Sequence, residues 1–208
     1  MTKSAVKSVT HRRPPRAEVE DRFLDAAERL LIEIGYAGTT TRRLADEAEL
    51  NHGLVHYYFG SMENLFVRVL ERFTERLIAR QREMYGRTDI SGIEKWKTAM
   101  GYLESDLAAG YPKVWLELQA LGWNRPDIAE RVAQVNREWR DVLTEALDRM
   151  MSEYGVDRER FPLAALVSLV MTFNEGIMVE RLSGISDGHR ELVEMTARWL
   201  ESLEEEKR

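Results

Sequence analysis

Hydrophobic residues recur along most of this chain at intervals of three or four positions, which is the spacing of one face of an α-helix. The first such stretch covers residues 17–34; its apolar face ends in Ile34, and Gly35 stops it. Acidic residues near its start suit the positive end of the helix dipole. No stretch shows the alternation of apolar and polar residues that is typical of a β-strand. The pattern predicts an all-α protein of about nine helices.

Residues 39–65 depart from this regularity, because they predict two very short helices followed by the start of a third. Thr40 is expected to cap the first short helix. Residues 49–51 break the pattern, and residues 52–59 form barely two turns. Isolated helices shorter than about 12 residues are marginal in water, so neighbouring helices must hold both in a fixed pose. This is the layout of a helix-turn-helix, whose second helix enters the major groove of DNA.

The polar side chains of these two short helices are of the kinds that hydrogen-bond to phosphates and base edges. Gly53 removes a side chain where the backbone would approach a duplex. Tyr58 and Phe59 also suit core aromatic positions. His52 and His56 share a helical face as a metal pair would, but no third ligand accompanies them. The candidate DNA-contacting residues are Thr40, Thr41, Arg42, Arg43, Asn51, His52, Gly53, Leu54, His56, Tyr57 and Tyr58.

Four short motifs lie between residues 17 and 73: A-A-E-R-L-L at 26–31, G-Y-x-G-T-T at 35–40, L-A at 44–45 and Y-Y-F-x-S-x-E-x-L at 57–65. Taken together, they resemble the tetracycline-repressor (TetR) family of bacterial transcriptional regulators. Two positions depart from the family pattern. Met62 stands where the family commonly has a lysine that meets a phosphate, and Glu49 where it commonly has glycine. Because a non-glycine residue resists left-handed backbone angles, Glu49 predicts a slightly different turn.

The rest of the chain continues the helical pattern. Ser61 is expected to cap a helix that runs to about Tyr85, long enough at ~1.5 Å per residue to carry a signal between a DNA-binding module and a larger body. We expect it to be the only element that belongs to both. The predicted division is a basic flexible arm (1–16), a helix-turn-helix domain (17–60), a connecting helix (61–85) and an effector-binding and dimerisation domain (86–208).

Charge is distributed unevenly along the 208 residues. The net charge is −6, but residues 1–16 carry +5 and the remaining residues −11. The arm could therefore follow a phosphate track or minor groove, or serve only as a solubilising leader. The chain has no cysteine, which excludes disulfides, thiol catalysis and thiolate metal sites. With neither a membrane-spanning apolar run nor a signal peptide evident, a cytoplasmic protein without membrane contact is expected.

The segment 163–173 is apolar on almost every side, so its helix must be buried on more than one face. In the TetR family the last two long helices of each subunit form a four-helix bundle across a twofold axis, and the two modules address half-sites of a palindrome. The resemblance therefore implies a homodimer through residues 162–182 and 187–203. A wholly intramolecular core is the alternative.

Large aromatic and methionine side chains are spread over the helices of the body. They suit an apolar pocket with a few polar groups, as a small-molecule sensor would need, but such residues at helical spacing are equally typical of an ordinary core. The resemblance implies that some ligand cavity exists. The candidate effector contacts are Trp96, Met100, Tyr111, Trp115, Gln119, Trp139, Phe173, Asn174, Glu175 and Met178.

Residues 184–188 match the G-x-S-x-G pattern of a nucleophile elbow. That elbow joins a strand to a helix on a parallel sheet, whereas here it joins two predicted helices, where turn formation explains it. We therefore expect no enzyme, catalytic residue, metal or cofactor. The expected function is a regulator, in the first instance a repressor released from a palindromic double-stranded operator by a small, mostly apolar effector. An activator, a ligand-independent DNA-binding regulator, and a small-molecule carrier with a vestigial DNA module remain alternatives.

Overall fold

A computed structural model describes residues 15–206 of the chain, so the basic arm lies outside the described residues except for Pro15 and Arg16. Within that part the chain forms nine helices and no strand, which confirms the predicted all-α class. The helices are α1 (Arg16–Gly38), α2 (Thr41–Ala48), α3 (Gly53–Phe59), α4 (Met62–Gly86), α5 (Gly92–Ala108), α6 (Tyr111–Trp123), α7 (Pro126–Tyr154), α8 (Leu163–Leu182) and α9 (His189–Glu206).

Local capping chemistry fixes several helix starts where the sequence predicts them. The Thr40 hydroxyl accepts a hydrogen bond from the backbone N–H of Arg43, which starts α2. The Ser61 hydroxyl caps α4 in the same way. Ser91 and Glu94 form a reciprocal capping box at the start of α5. Each cap satisfies backbone donors that would otherwise be left without partners at the helix N-terminus.

The first helix breaks at Gly35, as predicted, because this residue has φ 74° and ψ 178°. A single further turn then leads to Gly38. The prediction that Ile34 lies on the buried face is wrong, since this residue is 41% exposed. Its side chain instead packs over the backbone of Gly38 in the turn that follows the break.

The turn between α2 and α3 is also left-handed, because Glu49 adopts φ 52° and ψ 45°. The expectation that a non-glycine residue here would produce a different turn is therefore wrong. A left-handed residue with a side chain costs roughly 1 kcal/mol. Arg22 of α1 offsets this cost by donating to the carbonyl oxygens of Ala48 at 2.6 Å and Glu49 at 3.2 Å.

One buried core runs without interruption from α1, α2 and α3 through α4 into α6 and α7. In its N-terminal part, Phe23 and Val55 are fully buried. Phe66 of α4 belongs to the same cluster, and its ring meets that of Tyr36 at 5.3 Å. Leu118 of α6 and Ile128 of α7 are buried in this cluster as well. The segments that the sequence separates at residues 60 and 85 therefore share one hydrophobic core.

The apolar helix α8 is mostly unburied in the single chain. The sequence reading that no apolar run is long enough to span a membrane is wrong, because α8 has 20 residues and a mean hydropathy of 1.5, which suffices by length and composition alone. Only 11% of the apolar 18-residue window in this helix is buried in the single chain. The exposed large apolar residues of α8, α9 and the turn between them are Leu169, Val179, Leu182, Ile185, Leu192, Met195 and Trp199.

Candidate functional site

The two short helices present a polar outer surface at one end of the molecule. Eight of the predicted DNA-contacting residues are exposed there: Thr40, Arg42, Arg43, Asn51, His52, Gly53, His56 and Tyr57. Tyr57 is 68% exposed, which is unusual for so large an aromatic side chain. Its ring meets that of Tyr58 edge to face at 5.0 Å. This surface therefore offers arginine, histidine, amide and phenol groups that point away from the core.

The other three predicted contacts are half-buried, and two of them pack against the core. Leu54 and Tyr58 pack against the buried cluster, and Arg16 lies over the Tyr58 ring at 5.4 Å. Thr41 is half-buried. Phe59, for which a core position was one alternative, packs edge to face on Phe23 at 6.1 Å. These aromatic contacts anchor α3, whose only fully buried side chain is Val55.

Local hydrogen bonds hold several of the polar side chains in this surface. The Asn51 side-chain oxygen accepts from the Gly53 N–H at 2.8 Å and so helps to start α3. Arg43 donates to the Gly38 carbonyl at 2.8 Å. His56 Nδ1 lies 3.1 Å from the Gly60 carbonyl oxygen. The orientation of the surface is thus set before any ligand arrives.

A cavity of about 140 Å³ lies in the body, lined by α4, α5, α6, α7 and α8. Most of its lining is apolar. Eight of the ten predicted effector contacts line it: Trp96, Met100, Tyr111, Trp115, Trp139, Asn174, Glu175 and Met178.

Two predicted contacts do not line the cavity. Phe173 does not line the cavity, but its ring packs on that of the lining residue Trp96, with 5.9 Å between the ring centroids. Gln119 follows the lining face of α6 in sequence, but the cavity does not extend that far along the helix. The Gln119 correction arises because helical spacing identifies a face and not how far along that face a cavity extends, whereas Phe173 lies between lining residues of α8 without lining the cavity itself.

Sequence reasoning missed the contribution of α4 to the cavity. Phe73, Leu77, Gln81 and Tyr85 recur every four residues and line one wall together. This stripe was readable from the spacing, but its two polar members resemble surface residues. Burial raises the pKa of Tyr85 to about 12, so its phenol stays neutral. The remaining lining residues that were missed are Ala99, Leu103, Asp106, Pro112, Leu143, Val170 and Met171.

The helix α6 connects the cavity directly to the DNA-binding end. Its Glu117 carboxylate accepts a hydrogen bond from the Tyr36 N–H at 2.7 Å, at the break in α1. Lys113 donates to the Ile32 carbonyl at 3.2 Å. The other face of α6 lines the cavity. The expectation that α4 alone belongs to both halves is therefore wrong.

The segment 184–188 forms a turn between α8 and α9, with Gly184 and Gly188 at positive φ. No strand precedes it in the described chain, so the elbow context is missing. Among residues 15–206, no group of three or more histidine, aspartate or glutamate side chains is placed to hold a metal ion.

Residues 23–69 match the family model described as bacterial regulatory proteins, tetR family. Two regulators resemble the chain over most of both lengths. An uncharacterized HTH-type transcriptional regulator, YfiR of Bacillus subtilis, is 24% identical over 182 residues, covering 83% of this chain and 82% of that protein. The HTH-type transcriptional repressor AcnR of Corynebacterium glutamicum is 26% identical over 166 residues, covering 80% and 81%. The N-terminal helices of this chain, residues 23–69, are those of a TetR-family regulator.

Solved TetR-family structures share the fold. A TetR-family transcriptional regulator from Agrobacterium tumefaciens superposes with a TM-score of 0.71 at 19% identity, covering 87% of this chain and 98% of that one. The regulator FadR from Bacillus subtilis in complex with stearoyl-CoA gives 0.69 at 17% identity, covering 88% and 96%. The chain, whose N-terminal helices match the TetR family model, is a DNA-binding transcriptional regulator.

Proposed function

We propose that this TetR-family regulator is a homodimeric repressor that leaves a palindromic operator when a small, mostly apolar effector fills the cavity. One observation carries the proposal. The helix α4 follows α3 directly at one end and supplies a wall of the cavity further along. An effector that displaces this wall would therefore move α4, the helix that follows directly on the DNA-reading helix α3. Repression is supported by relatives named as repressors.

In this proposal the polar outer surface divides its work. Arg43 and Tyr57 contact phosphates and fix the position of the module, while His52 and His56 at the start and middle of α3 approach base edges. All four side chains are exposed and lie on the two short helices. The segments divided at residues 60 and 85 would have different functions, DNA binding, connection and effector binding, although they share one hydrophobic core.

The dimer would form through α8 and α9, whose exposed large apolar residues present an apolar surface to solvent. Contiguous apolar patches of this kind mark interaction sites in soluble proteins. A second copy would bury α8 on the side that its own chain leaves open. Two modules could then meet half-sites separated by ~34 to 36 Å, or a multiple of that distance. The proposed dimer would act in the cytoplasm, because its operator DNA lies there.

DNA binding is tested by fluorescence anisotropy with the DNA that adjoins the gene of this protein. Arg43→Ala should weaken binding to this DNA and to random DNA equally, because phosphates carry no sequence. Arg149→Ala, which removes an exposed arginine of α7, is the matched control and should change neither affinity. Wild-type affinity in Arg43→Ala would exclude this residue from the interface.

Effector control is tested on the same complex. Met178→Trp fills the cavity and should leave operator binding intact while abolishing release by a lipophilic ligand panel. Release that persists in this variant would mean that the effector binds elsewhere. If no compound releases the wild-type protein from an operator that it binds, the alternative of a ligand-independent regulator is favoured.

The dimer is tested by light scattering after size-exclusion chromatography. Leu169→Glu places a charge at the centre of the exposed face of α8 and should yield single chains. Gln134→Glu adds the same charge to the exposed surface of α7 and should keep the dimer. If Leu169→Glu remains a dimer, or if the wild type sediments with lipid vesicles, the apolar face has another role.

A further inference from the structure

Gln81 lines the cavity, and the oxygen of its side-chain amide has no hydrogen-bond partner within the protein. The residue is only 9% exposed, and its side-chain oxygen has no hydrogen-bond partner. Among the residues that the structure describes, no other cavity-lining side chain has a buried nitrogen or oxygen in this condition. Roughly 90% or more of buried polar groups in proteins are paired, so an unpaired acceptor on a cavity-lining residue requires an explanation.

The neighbouring polar groups are engaged elsewhere or retain contact with solvent. Asp106 receives two hydrogen bonds from Arg80, at 2.6 and 3.1 Å. The same guanidinium lies over the Tyr102 ring at 4.1 Å. Asn174 and Glu175 are half-buried. The wall around Gln81 therefore presents mainly aromatic and aliphatic groups, with the Tyr85 phenol one helical turn further along α4.

The cavity volume limits the size of the ligand. An apolar cavity of ~150 Å³ in another protein binds benzene, and the cavity here is of similar volume, about 140 Å³. One aromatic ring with small substituents fits this space.

We infer that the effector is a small neutral molecule with one apolar ring and a hydrogen-bond donor, a hydroxyl or an N–H, that donates to Gln81 Oε1. This inference rests on the proposed function, since it names the chemistry of the same cavity. Hydrogen-bond donation would convert a destabilised acceptor into a paired one only when the ligand is bound. It would also attach the ligand to α4, the helix that continues from the DNA-binding module.

Calorimetric titration with three ring compounds of nearly equal size tests this assignment: para-cresol, which donates; para-xylene, which neither donates nor accepts; and para-methylanisole, which only accepts. Raw affinities mix the hydrogen bond with differences in transfer from water, so the measured quantity is the ratio of cresol to xylene affinity. This ratio should fall about tenfold from the wild type to Gln81→Leu, the amount expected for one buried hydrogen bond. Gln81→Met, which preserves the unbranched shape, should reproduce the loss if packing is not the cause.

Several results would overturn the inference. An unchanged ratio in both variants would remove Gln81 from recognition. Para-methylanisole bound as tightly as para-cresol, and dependent on Gln81, would mean that the amide nitrogen faces the ligand. Tighter binding of the cation para-methylbenzylamine would assign the site to Glu175. Absence of binding by all compounds would exclude this ligand class. Gln81-dependent cresol binding that leaves the operator complex intact would refute the proposed function and keep the assigned chemistry.

Discussion

Removing the carboxylate of Glu117 should weaken the attachment of the DNA-binding module to the body. Its oxygen accepts from the Tyr36 N–H at 2.7 Å, at a partly buried position. Hydrogen bonds to charged groups contribute about 1.5–3 kcal/mol. Because this one is only partly shielded from water, we expect Glu117→Ala to lower the free energy of unfolding by about 1–2 kcal/mol. Glu117→Gln, which keeps an acceptor oxygen, should cost about half as much.

Urea unfolding followed by circular dichroism measures this loss. Glu130→Ala, which removes an exposed glutamate of α7, is the matched control and should change stability by no more than about 0.5 kcal/mol. Hydrogen exchange adds a local readout, because the Tyr36 amide should exchange faster in Glu117→Ala than in the control. Unchanged stability together with unchanged exchange at Tyr36 would show that this hydrogen bond does not hold the two parts together.

Four further outcomes follow from particular residues. His52→Ala should relax preference at a few base pairs by ~1 to 3 kcal/mol in operator binding, and equal losses on operator and random DNA would exclude base reading. Deleting residues 2–16 should reduce the slope of log affinity against log salt by up to about 5, and an unchanged slope would show that the arm never meets the duplex. Gln81→Met should raise the free energy of unfolding of the ligand-free protein by roughly 1 kcal/mol, since it removes an unpaired buried acceptor; a loss of stability would contradict this. Burial raises the pKa of Tyr85 to about 12, above its ordinary value of about 10, so folding favours the protonated phenol. Stability should therefore fall as the pH rises from about 10 to 12, and Tyr85→Phe should remove that part of the fall.

Helix starts and the short-helix pair could be predicted because their causes are local. Thr40 and Ser61 cap helices within three residues of their own positions. Glu49 could not be predicted, since the strain of its left-handed backbone is offset by an arginine 27 residues earlier in the chain. The link from Glu117 spans 81 residues and depends on tertiary packing alone.

The cavity could be predicted only in part, because some of its wall residues are recognisable from the local sequence and others are buried only by tertiary packing. Aromatic residues such as Trp96 and Trp139 are recognisable as wall residues from size and spacing. Gln81 and Tyr85 are not, because a polar residue on an amphipathic helix usually lies in solvent. Their burial depends on how α5 and α6 pack over α4. A polar residue inside an apolar stripe at four-residue spacing, such as Gln81 after Phe73 and Leu77, is therefore a further indicator of a ligand cavity.

The shared core of the two halves limits how this regulator can be recombined. Swapping DNA-reading modules between relatives would join an α1 from one lineage to an α6 from another. A cut after α3 would separate Tyr36 from two partners in the retained part: the Phe66 ring, which meets the Tyr36 ring at 5.3 Å, and the Glu117 carboxylate, which accepts from the Tyr36 N–H at 2.7 Å. Chimaeras cut after α3 should therefore fold poorly unless the matching α6 residues are carried along. Operator preference can change through exposed residues of α3, whereas exchange of whole modules requires α1, α4 and α6 to change together.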